Sequence, residues 1–336
     1  MSVLVIGGYG HVGGQVAEIL AEAGYDVRIG GRSLEKAKRF AARIGAEGVC
    51  LDVHDPTGWD AALDGTGMVV VCIDLPGDAL PRRVLASGLR YVDISADDRI
   101  LAAIERLGPV AQEHGGRALL SVGLAPGLTN MMANAVAQRV GVPQEICIAV
   151  MLGAGDSHGA AATDWMIAEL AQLNGQPRVF KFARDQHPRK TWPMGFADQH
   201  VLTRAMPGVR VRTYFALDNR LLTTCLMSAG AALARLVWLR PVLRRALMTV
   251  RIGSPRTAIA VTATGSGTQA VARFEGSEEA KLTALIAARA AVLLMTGTVE
   301  PGVHHLGPVL GLHDFVDLFE PGALNLEIHG QAETTG

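Results

Sequence analysis

The chain has 336 residues, of which 49% are hydrophobic and 19% are charged, and its formal net charge is −1 at pH 7. This composition excludes a disordered chain, and the length predicts two globular domains. The four cysteines form no C-x-x-C pair and no Cys/His metal spacing, so neither a disulfide framework nor a metal site is predicted. Because only Met1 and Ser2 precede the first predicted strand, a signal peptide has no room, and we expect a cytoplasmic protein.

The N-terminal segment has the pattern of a strand, a glycine-rich turn, a helix and a second strand. Residues 3–6 form a short apolar run, residues 12–23 carry apolar side chains at helical spacing, and residues 26–29 form the next strand. The turn between the first strand and the helix fits G-x-G-x-x-G. In this setting Gly8 permits the tight turn, Gly10 lets a pyrophosphate approach the backbone, and Gly13 lets the helix pack on the strand. The helix N-terminus then faces the phosphates of a dinucleotide. The predicted cradle consists of Gly8, Tyr9, Gly10, His11, Val12 and Gly13.

The end of the second strand indicates which dinucleotide is bound. NAD sites normally carry an acidic residue there, about 20 residues after the glycines, whereas NADP sites offer an arginine to the 2′-phosphate. In this chain Gly31 takes that place, followed by Arg32 and Ser33, with Lys36 one helical turn later. A guanidinium, a hydroxyl and an ammonium bind phosphate through charge-assisted hydrogen bonds. The pattern therefore favours NADP(H) over NAD(H), although Lys36 alone also fits a solvated helix position.

The alternation of strands and helices continues to residue 140. Further strands are predicted at 49–53, 68–73, 91–94 and 118–122, and helices at 56–63, 99–113 and 131–140. Asp52 stands where such domains often touch the adenine. Asp74 and Leu75 follow the fourth strand, at the carboxyl edge where ligands bind in open α/β sheets. The pattern predicts an α/β fold that begins with a Rossmann dinucleotide-binding domain over residues 1–125.

Four segments resemble the saccharopine dehydrogenase-like oxidoreductases: "GGYGHVG", "GRS" after the second strand, "YVDISAD" on the fifth, and "GLAPGLTN" opening the connection to a second domain. The resemblance covers roughly the first 135 residues. It implies a Rossmann domain, an α+β second domain built around a sheet, and pyridine-nucleotide oxidoreductase chemistry, in the best-known members on a C–N bond. We expect the second domain at 126–305 and a C-terminal segment, 306–336, that packs back on the Rossmann domain. The short-chain dehydrogenase alternative is excluded, since no tyrosine has a lysine four residues later.

Candidate catalytic residues lie between a strand predicted at 145–152 and a helix that ends near Gly175. An imine reduction needs a proton donor near neutral pH, which is the property of histidine. We predict His158 as the acid/base, with Asp156 or Asp164 as the carboxylate that orients it, and we expect the turn from Gly153 to Asp164 to face the cofactor. Simple helix capping by these residues is the alternative. The next candidates are Asp74, Asp97, His304 and His305, the two histidines being expected in a loop.

The charge distribution suggests the chemistry of the substrate. Residues 178–256 contain 15 Lys or Arg and three acids, so this segment has an excess of 12 positive charges. Because arginine binds carboxylates through two parallel hydrogen bonds, an anionic small-molecule substrate is expected, with an arginine-rich solvated surface as the alternative. Nucleic acid is not expected, since no groove-reading motif accompanies the charge.

The segment 226–250 is strongly apolar but is interrupted by arginines and by Pro241. It has no uncharged run of 18 residues and so does not predict a membrane span. Three interpretations stay open: helices that cover the sheet, a contact in a homodimer, or a contact with a membrane surface.

The sequence thus predicts an NADP(H)-dependent oxidoreductase that acts on a C–N or imine bond of a carboxylate-bearing metabolite. Two alternatives are a reductase of a C=C or C=O bond in a lipid-like substrate, and a protein that senses NADP(H) without turnover.

Overall fold

A computed structural model describes residues 2–155, 160–183, 187–249, 252–297 and 299–330. The chain divides into two units: Met1–Leu128 with Ala280–Gly311, and Thr129–Glu279 with Leu312–Gly336. Each unit contains its own seven-stranded sheet. The predicted α/β class with a Rossmann-like domain and a second, sheet-based domain is therefore confirmed.

The first unit begins with alternating strands and helices. Its strands are β1 (Ser2–Ile6), β2 (Val27–Gly31), β3 (Glu47–Cys50), β4 (Thr66–Val71), β5 (Arg90–Asp93) and β6 (Arg117–Leu120). Its helices are α1 (His11–Glu22), α2 (Leu34–Ile44), α3 (Trp59–Leu63), α4 (Ala79–Ala86), α5 (Asp98–Glu105) and α6 (Gly108–His114). The strands pair in parallel, and those at the centre are apolar throughout because both faces of such a sheet are covered: residues 3–6 and 68–71 are fully buried.

The second unit follows with a mixed sheet and its covering helices. The elements are α7 (Thr129–Val140), β7 (Pro143–Leu152), α8 (Ala160–Ala171), β8 (Arg178–Phe180), β9 (Arg189–Pro193), α9 (Ala197–Ala205), β10 (Arg210–Leu217), α10 (Arg220–Cys225), α11 (Ala231–Arg235), α12 (Arg240–Thr249), β11 (Arg256–Gly265) and β12 (Thr268–Ser277). Strand β7 pairs in parallel with β10 and antiparallel with β11, so this sheet differs in kind from the first.

The last part of the chain contributes to both units. Helix α13 (Glu279–Thr296) and strand β13 (Gly302–His305) return to the first unit, where β13 pairs in parallel with β6. Strand β14 (Leu324–Gly330) pairs antiparallel with β12. The sheets have the orders β13-β6-β5-β4-β1-β2-β3 and β14-β12-β11-β7-β10-β9-β8.

After residue 128, the division of the chain into two units differs from the predicted domain boundaries. Residues 280–305, expected in the second domain, belong to the first unit because β13 completes its parallel sheet. Most of the segment 306–336, expected to pack on the Rossmann domain, belongs to the second unit because β14 continues the antiparallel ladder of β12.

Two element predictions in the first unit also need correction. The third strand ends at Cys50 instead of residue 53, because the chain turns at Asp52. The Asp52 carboxylate accepts a hydrogen bond from the His54 backbone N–H, and the Asp52 carbonyl accepts one from the Asp55 backbone N–H. The helix predicted over 99–113 is two helices, α5 and α6. The break precedes Pro109, which stands in the first turn of α6 and cannot donate the hydrogen bond that a continuous helix requires there.

Candidate dinucleotide-binding site

The turn between β1 and α1 is closed by contacts that three glycines make possible. Gly7 has a left-handed backbone, with φ of 79°. A Cβ atom at Gly8 would lie 2.8 Å from the Val5 carbonyl oxygen, and one at Gly13 would overlap the Gly7 carbonyl oxygen. Gly13 therefore packs helix against strand as predicted, whereas the left-handed conformation that tightens the turn belongs to Gly7, one residue before the motif.

Gly10 has a different environment. It is the N-cap residue of α1 and its side-chain position would meet a single neighbour within 4 Å, the Gly7 carbonyl oxygen at 3.0 Å. The first backbone bond inside the helix runs from the Gly14 N–H to the Gly10 carbonyl, 2.9 Å. An α-helix leaves the N–H groups of its first turn without intrahelical acceptors, and these groups, together with the helix dipole, favour an anion. The open side of Gly10 is thus suited to a pyrophosphate.

The end of β2 is shaped by Tyr9. A Cβ atom at Gly31 would lie 2.5 Å from the Tyr9 ring, and the Tyr9 hydroxyl accepts a hydrogen bond from the Ser33 backbone N–H at 3.3 Å. Ser33 caps α2 by accepting from the Lys36 backbone N–H at 3.4 Å. The side chains of Arg32 and Lys36 are exposed. The ring of Tyr9 thus occupies the space that a side chain at residue 31 would require.

The other predicted cofactor residues lie at the same carboxyl edge of the sheet. Asp52 follows β3 by two residues, and its carboxylate accepts a bond of 2.9 Å from the His54 backbone N–H. Asp74 is exposed beyond the end of β4, and Leu75 is buried. None of these positions contradicts a cofactor role, and each stays a prediction.

The predicted catalytic group is only partly described by the structure. Asp156 and His158 lie outside the described residues. Asp164 stands on α8 and forms an ion pair with Arg244 of α12, with distances of 2.6 and 3.2 Å between guanidinium nitrogens and carboxylate oxygens. Its carboxylate therefore already has a cationic partner, while its predicted role beside His158 stays untested.

Three further candidates have structural roles in the first unit. Asp97 caps α5 and forms an ion pair with Arg99 at 2.7 Å. His304 and His305, expected in a loop, are instead part of β13, because their backbones pair with Leu119 and Leu120 of β6.

A buried carboxyl group that the sequence analysis did not select lies at the end of β5. Asp93 is fully buried; it accepts hydrogen bonds from the Tyr91 hydroxyl and from the Ser95 backbone N–H, the latter at 2.7 Å. Burial raises the pKa of Asp93 to about 6, against the opposing effect of these two hydrogen bonds. The signal in the sequence is an aspartate that ends an apolar strand, within "YVDISAD".

His305, one of the predicted candidates, forms a chain of hydrogen bonds with two residues that were not predicted, Ser121 and Glu105. The Ser121 hydroxyl lies 2.8 Å from Nδ1 of His305, and Nε2 of His305 lies 2.9 Å from a carboxylate oxygen of Glu105. Ser121 is fully buried and has a φ of 56°, a left-handed conformation that is uncommon outside glycine. No sequence spacing indicates this chain of bonds, since the three residues are up to 200 positions apart. Among the described residues, no group of three or more His, Cys, Asp or Glu side chains could hold a metal ion.

With this geometry in place, comparison with known proteins decides the family. A family model described as NAD(P)H-binding matches residues 7–176, just over half of the chain. The chain belongs to this NAD(P)H-binding family. Binding of NAD(P)H is therefore established at the level of the family, without a preference for NADP over NAD.

Individual relatives are distant. The chain is 38% identical over 87 residues to Prestalk A differentiation protein A of Dictyostelium discoideum, and the match spans 29% of that protein's length. The apo saccharopine dehydrogenase (L-Glu forming) of Saccharomyces cerevisiae has a similar structure, with a TM-score of 0.69, 13% identity, and coverage of 98% of this chain and 100% of that one. A dehydrogenase of Thermus thermophilus in complex with NAD and UDP-GlcNAcA matches more weakly, with a TM-score of 0.42, 14% identity, and coverage of 93% and 98%. The predicted resemblance to saccharopine dehydrogenase-like proteins is thus confirmed for the fold.

Proposed function

We propose that the protein is an NADP(H)-dependent oxidoreductase. The observation that carries the proposal is the end of β2, where Gly31 replaces the acidic residue of an NAD site and Tyr9 fills the space beside it. Arg32 is exposed next to this position and Ser33 retains a hydroxyl proton to donate. A 2′-phosphate fits this environment, since no carboxylate at residue 31 would repel it and a guanidinium stands beside it.

The cofactor assignment is tested by the substitution Arg32→Ala. A charged hydrogen bond contributes roughly 1.5 to 3 kcal/mol, so the Kd for NADPH should rise by about 10- to 100-fold while the Kd for NADH stays nearly unchanged. Both constants are measured by fluorescence titration of the full chain.

A suitable control is Arg39→Ala on α2, the helix that follows Arg32, because Arg39 is exposed and pairs with Glu35. This variant should bind both cofactors like the wild type. Equal losses for NADPH and NADH in Arg32→Ala would contradict the assignment of the 2′-phosphate to Arg32.

For the reaction, we propose a C–N or imine bond of a carboxylate-bearing substrate. The structural neighbour from Saccharomyces cerevisiae is a saccharopine dehydrogenase that forms L-Glu, which is chemistry of this class. The basic surplus between residues 178 and 256 is partly neutralised by acids from outside that segment, since Glu145 pairs with Arg178 and Glu275 with Arg256. A binding site for an anionic substrate must therefore be formed by particular arginines. The overall excess of positive charge does not show where such a site lies.

One group of arginines in the second unit has the required character. Arg189 of β9 is half-buried, and its pKa is lowered by burial and by the positive charges of Arg220 and Arg256, against the influence of Asp218. Asp218 in turn accepts bonds from the backbone N–H groups of Ala154 and Ser254, at 2.9 and 2.7 Å. Like charges held close together are stabilised by an anion, so we assign the substrate carboxylate to Arg189 and Arg220, beside the segment that leads to His158.

His158 is proposed as the proton donor, with Asp156 as the residue that orients it, since Asp164 is paired with Arg244. His158→Asn should lower the turnover number by about 100-fold or more, with the Kd for NADPH retained. The measurement is steady-state NADPH oxidation with a panel of amines and 2-oxo acids, and His54→Asn, at an exposed position in the first unit, is the control. Normal turnover by the Asn variant would exclude the proton-transfer role.

The same panel separates the alternative functions. Oxidation of NADPH with enone or carbonyl substrates of lipid-like character, and none with amines and 2-oxo acids, would favour a C=C or C=O reductase. Tight NADPH binding without turnover of any class would favour a sensing role.

A further inference from the structure

The helices after β10 expose apolar side chains where a soluble surface would normally be polar. A helical stretch, Arg220–Arg235, is followed by a second, Val237–Thr249, and the two are bent by 116°. At the bend stand Leu236, Val237 and Trp238, here called the apolar apex, and the side chains of Val237 and Trp238 are 68% and 74% exposed. Leu233 and Val242 are also exposed on either side of the apex.

These exposed residues do not belong to the side of the helices that packs against the rest of the second unit. The inner face of the stretch is a separate set of buried residues: Leu226, Met227, Ala231, Ala234 and Leu243. Helices α11 and α12 contact α8. A surface helix of a globular protein normally has one apolar stripe and a polar opposite face. Here several outward residues are apolar as well, and three of them, Leu236, Val237 and Trp238, are consecutive in the chain. Exposed apolar residues grouped in this way are typical of an interaction site.

The charges within the segment itself have a single sign, although one of them, Arg244, is paired with Asp164 of α8. From Asn219 to Thr249 the sequence contains five arginines and no acidic residue. Arg235 and Arg240 flank the apex directly, and their guanidinium groups donate to backbone carbonyls, Arg235 to Leu173 at 3.1 Å and Arg240 to Ala234 at 2.8 Å. Arg245 is exposed one turn further along α12. The patch therefore combines an apolar centre with a positively charged rim.

We propose that the apolar apex inserts into the surface of a bilayer that contains anionic phospholipids. Tryptophan favours the boundary between headgroups and acyl chains, and arginine side chains reach from an apolar position to the headgroup phosphates. Among the described residues, no single helix is long and apolar enough to cross a bilayer, and the bent pair passes that test only when its two parts are taken together. Because the two helical parts are bent by 116°, the apex stands at the corner between them. In the proposed orientation this corner enters the bilayer surface and the flanking arginines lie at headgroup level.

The test is flotation of the full chain with vesicles of phosphatidylcholine, with and without phosphatidylglycerol. We expect binding to the anionic vesicles that weakens by about 10-fold or more in the double variant Val237→Ser, Trp238→Ser. Arg245→Glu should weaken binding by about 30-fold, since it changes the charge by two units and each unit near an anionic surface contributes about 1 kcal/mol.

Matched controls lie in the same unit, away from the apex. Val142 precedes β7 and is 78% exposed, and Arg139 is exposed at the end of α7. Val142→Ser and Arg139→Glu should float like the wild type. An unchanged melting transition of the second unit in every variant would show that the variants are folded. Because vesicle flotation requires no turnover, the outcome is independent of the proposed reaction.

Fluorescence gives a second readout of the apex itself. The chain has four tryptophans, and anionic vesicles should shift the emission to shorter wavelength in the wild type but not in Trp238→Phe. Absence of flotation, or equal flotation of the wild type and the apex variant, overturns the proposal. A dimer in sedimentation velocity that the apex substitutions dissociate, without vesicle binding, would overturn it in favour of a second copy of the chain.

Discussion

At the scale of single residues, Asp93 makes the stability of the first unit depend on pH. Its carboxyl group is fully buried, and burial raises its pKa from 3.8 to about 6, with a smaller contribution from the negative charge of Asp74. The folded state therefore favours the neutral carboxyl group. This contribution to stability is fully present below pH 3.8, the pKa in the unfolded chain, and is lost as the pH rises through about 6.

The variant Asp93→Asn keeps the shape of this group but cannot ionise. Between pH 4 and pH 7 the wild type should lose about 2 kcal/mol of unfolding free energy relative to the variant, since one pKa unit corresponds to about 1.4 kcal/mol. Urea unfolding of both proteins at the two pH values provides the comparison. If the difference in unfolding free energy between the two proteins did not change with pH, the folded state would not raise the pKa of this carboxyl group.

The glycine turn shows what a sequence can predict at this scale. The spacing of Gly8, Gly10 and Gly13 predicts the turn, and the close packing around Gly13 agrees with its expected role. The assignment of a dinucleotide to these three glycines stays a prediction. Gly8 permits the tight turn as expected, since a Cβ atom there would lie 2.8 Å from the Val5 carbonyl oxygen. The left-handed residue of the turn is Gly7, which precedes the motif and which the motif spacing does not indicate. The Tyr9 ring over Gly31 was beyond prediction for another reason, because the direction of a side chain depends on the folded turn.

At the scale of secondary-structure elements, strand β13 depends on a few polar contacts. It has four residues and pairs with β6; Gly302 is buried and the other three residues are half-buried. His305 links it to Ser121 and Glu105 through both ring nitrogens, at 2.8 and 2.9 Å. The left-handed backbone of Ser121 is held by this surrounding structure, as an uncommon conformation must be.

Replacing His305 should therefore loosen β13 selectively. His305→Ala removes two hydrogen bonds and leaves the buried Ser121 hydroxyl and the half-buried Glu105 carboxylate without this partner. The expected cost is about 2 to 3 kcal/mol. Hydrogen exchange of the β13 and β6 amides should accelerate by about 10-fold or more, while exchange in β1 and β4 stays slow. His304→Ala is the control, because Nε2 of His304 contacts the Glu300 carbonyl, four residues away. Equal protection in both variants would show that backbone pairing alone holds β13.

The elements that the sequence predicted well are those with strong apolar patterns. Strands β1 and β4 were found within two residues of their bounds, because a buried parallel strand is a continuous apolar run. The sequence predicts a loop at strand β13, since Gly-Val-His-His has no such run. Its pairing with β6 joins segments about 180 residues apart, which no local pattern reports.

At the scale of the whole molecule, the chain passes from the first unit to the second, back again, and then returns to the second. A sequence reading assigns consecutive residues to one domain, so it placed 126–305 together. The structure instead gives Ala280–Gly311 to the first unit, where the Arg90 side chain donates to the Leu294 carbonyl at 3.1 Å and Arg117 to that of Val299 at 2.7 Å. The start of the second unit was predicted to within a few residues, because "GLAPGLTN" marks the passage from β6 to α7.

This arrangement predicts that the C-terminal strand stabilises the unit that does not carry the dinucleotide cradle. Strand β14 pairs with β12 over seven residues, and Glu327 on it forms an ion pair of 3.0 Å with Arg273 of β12, both side chains being largely buried. Deletion of residues 324–336 exposes the edge of β12 and removes the carboxylate partner of Arg273. We expect the melting temperature of the second unit to fall by about 5 to 10 °C. The Kd for NADPH should change by less than about 2-fold, because the glycine turn and the end of β2 belong to the first unit.

Calorimetry and NADPH titration on the same preparation measure the melting temperature and the Kd. A chain that lacks only residues 331–336 serves as the control. Loss of NADPH binding in parallel with the melting temperature would show that the two units fold as one, and it would contradict the assignment of the cofactor site to the first unit alone.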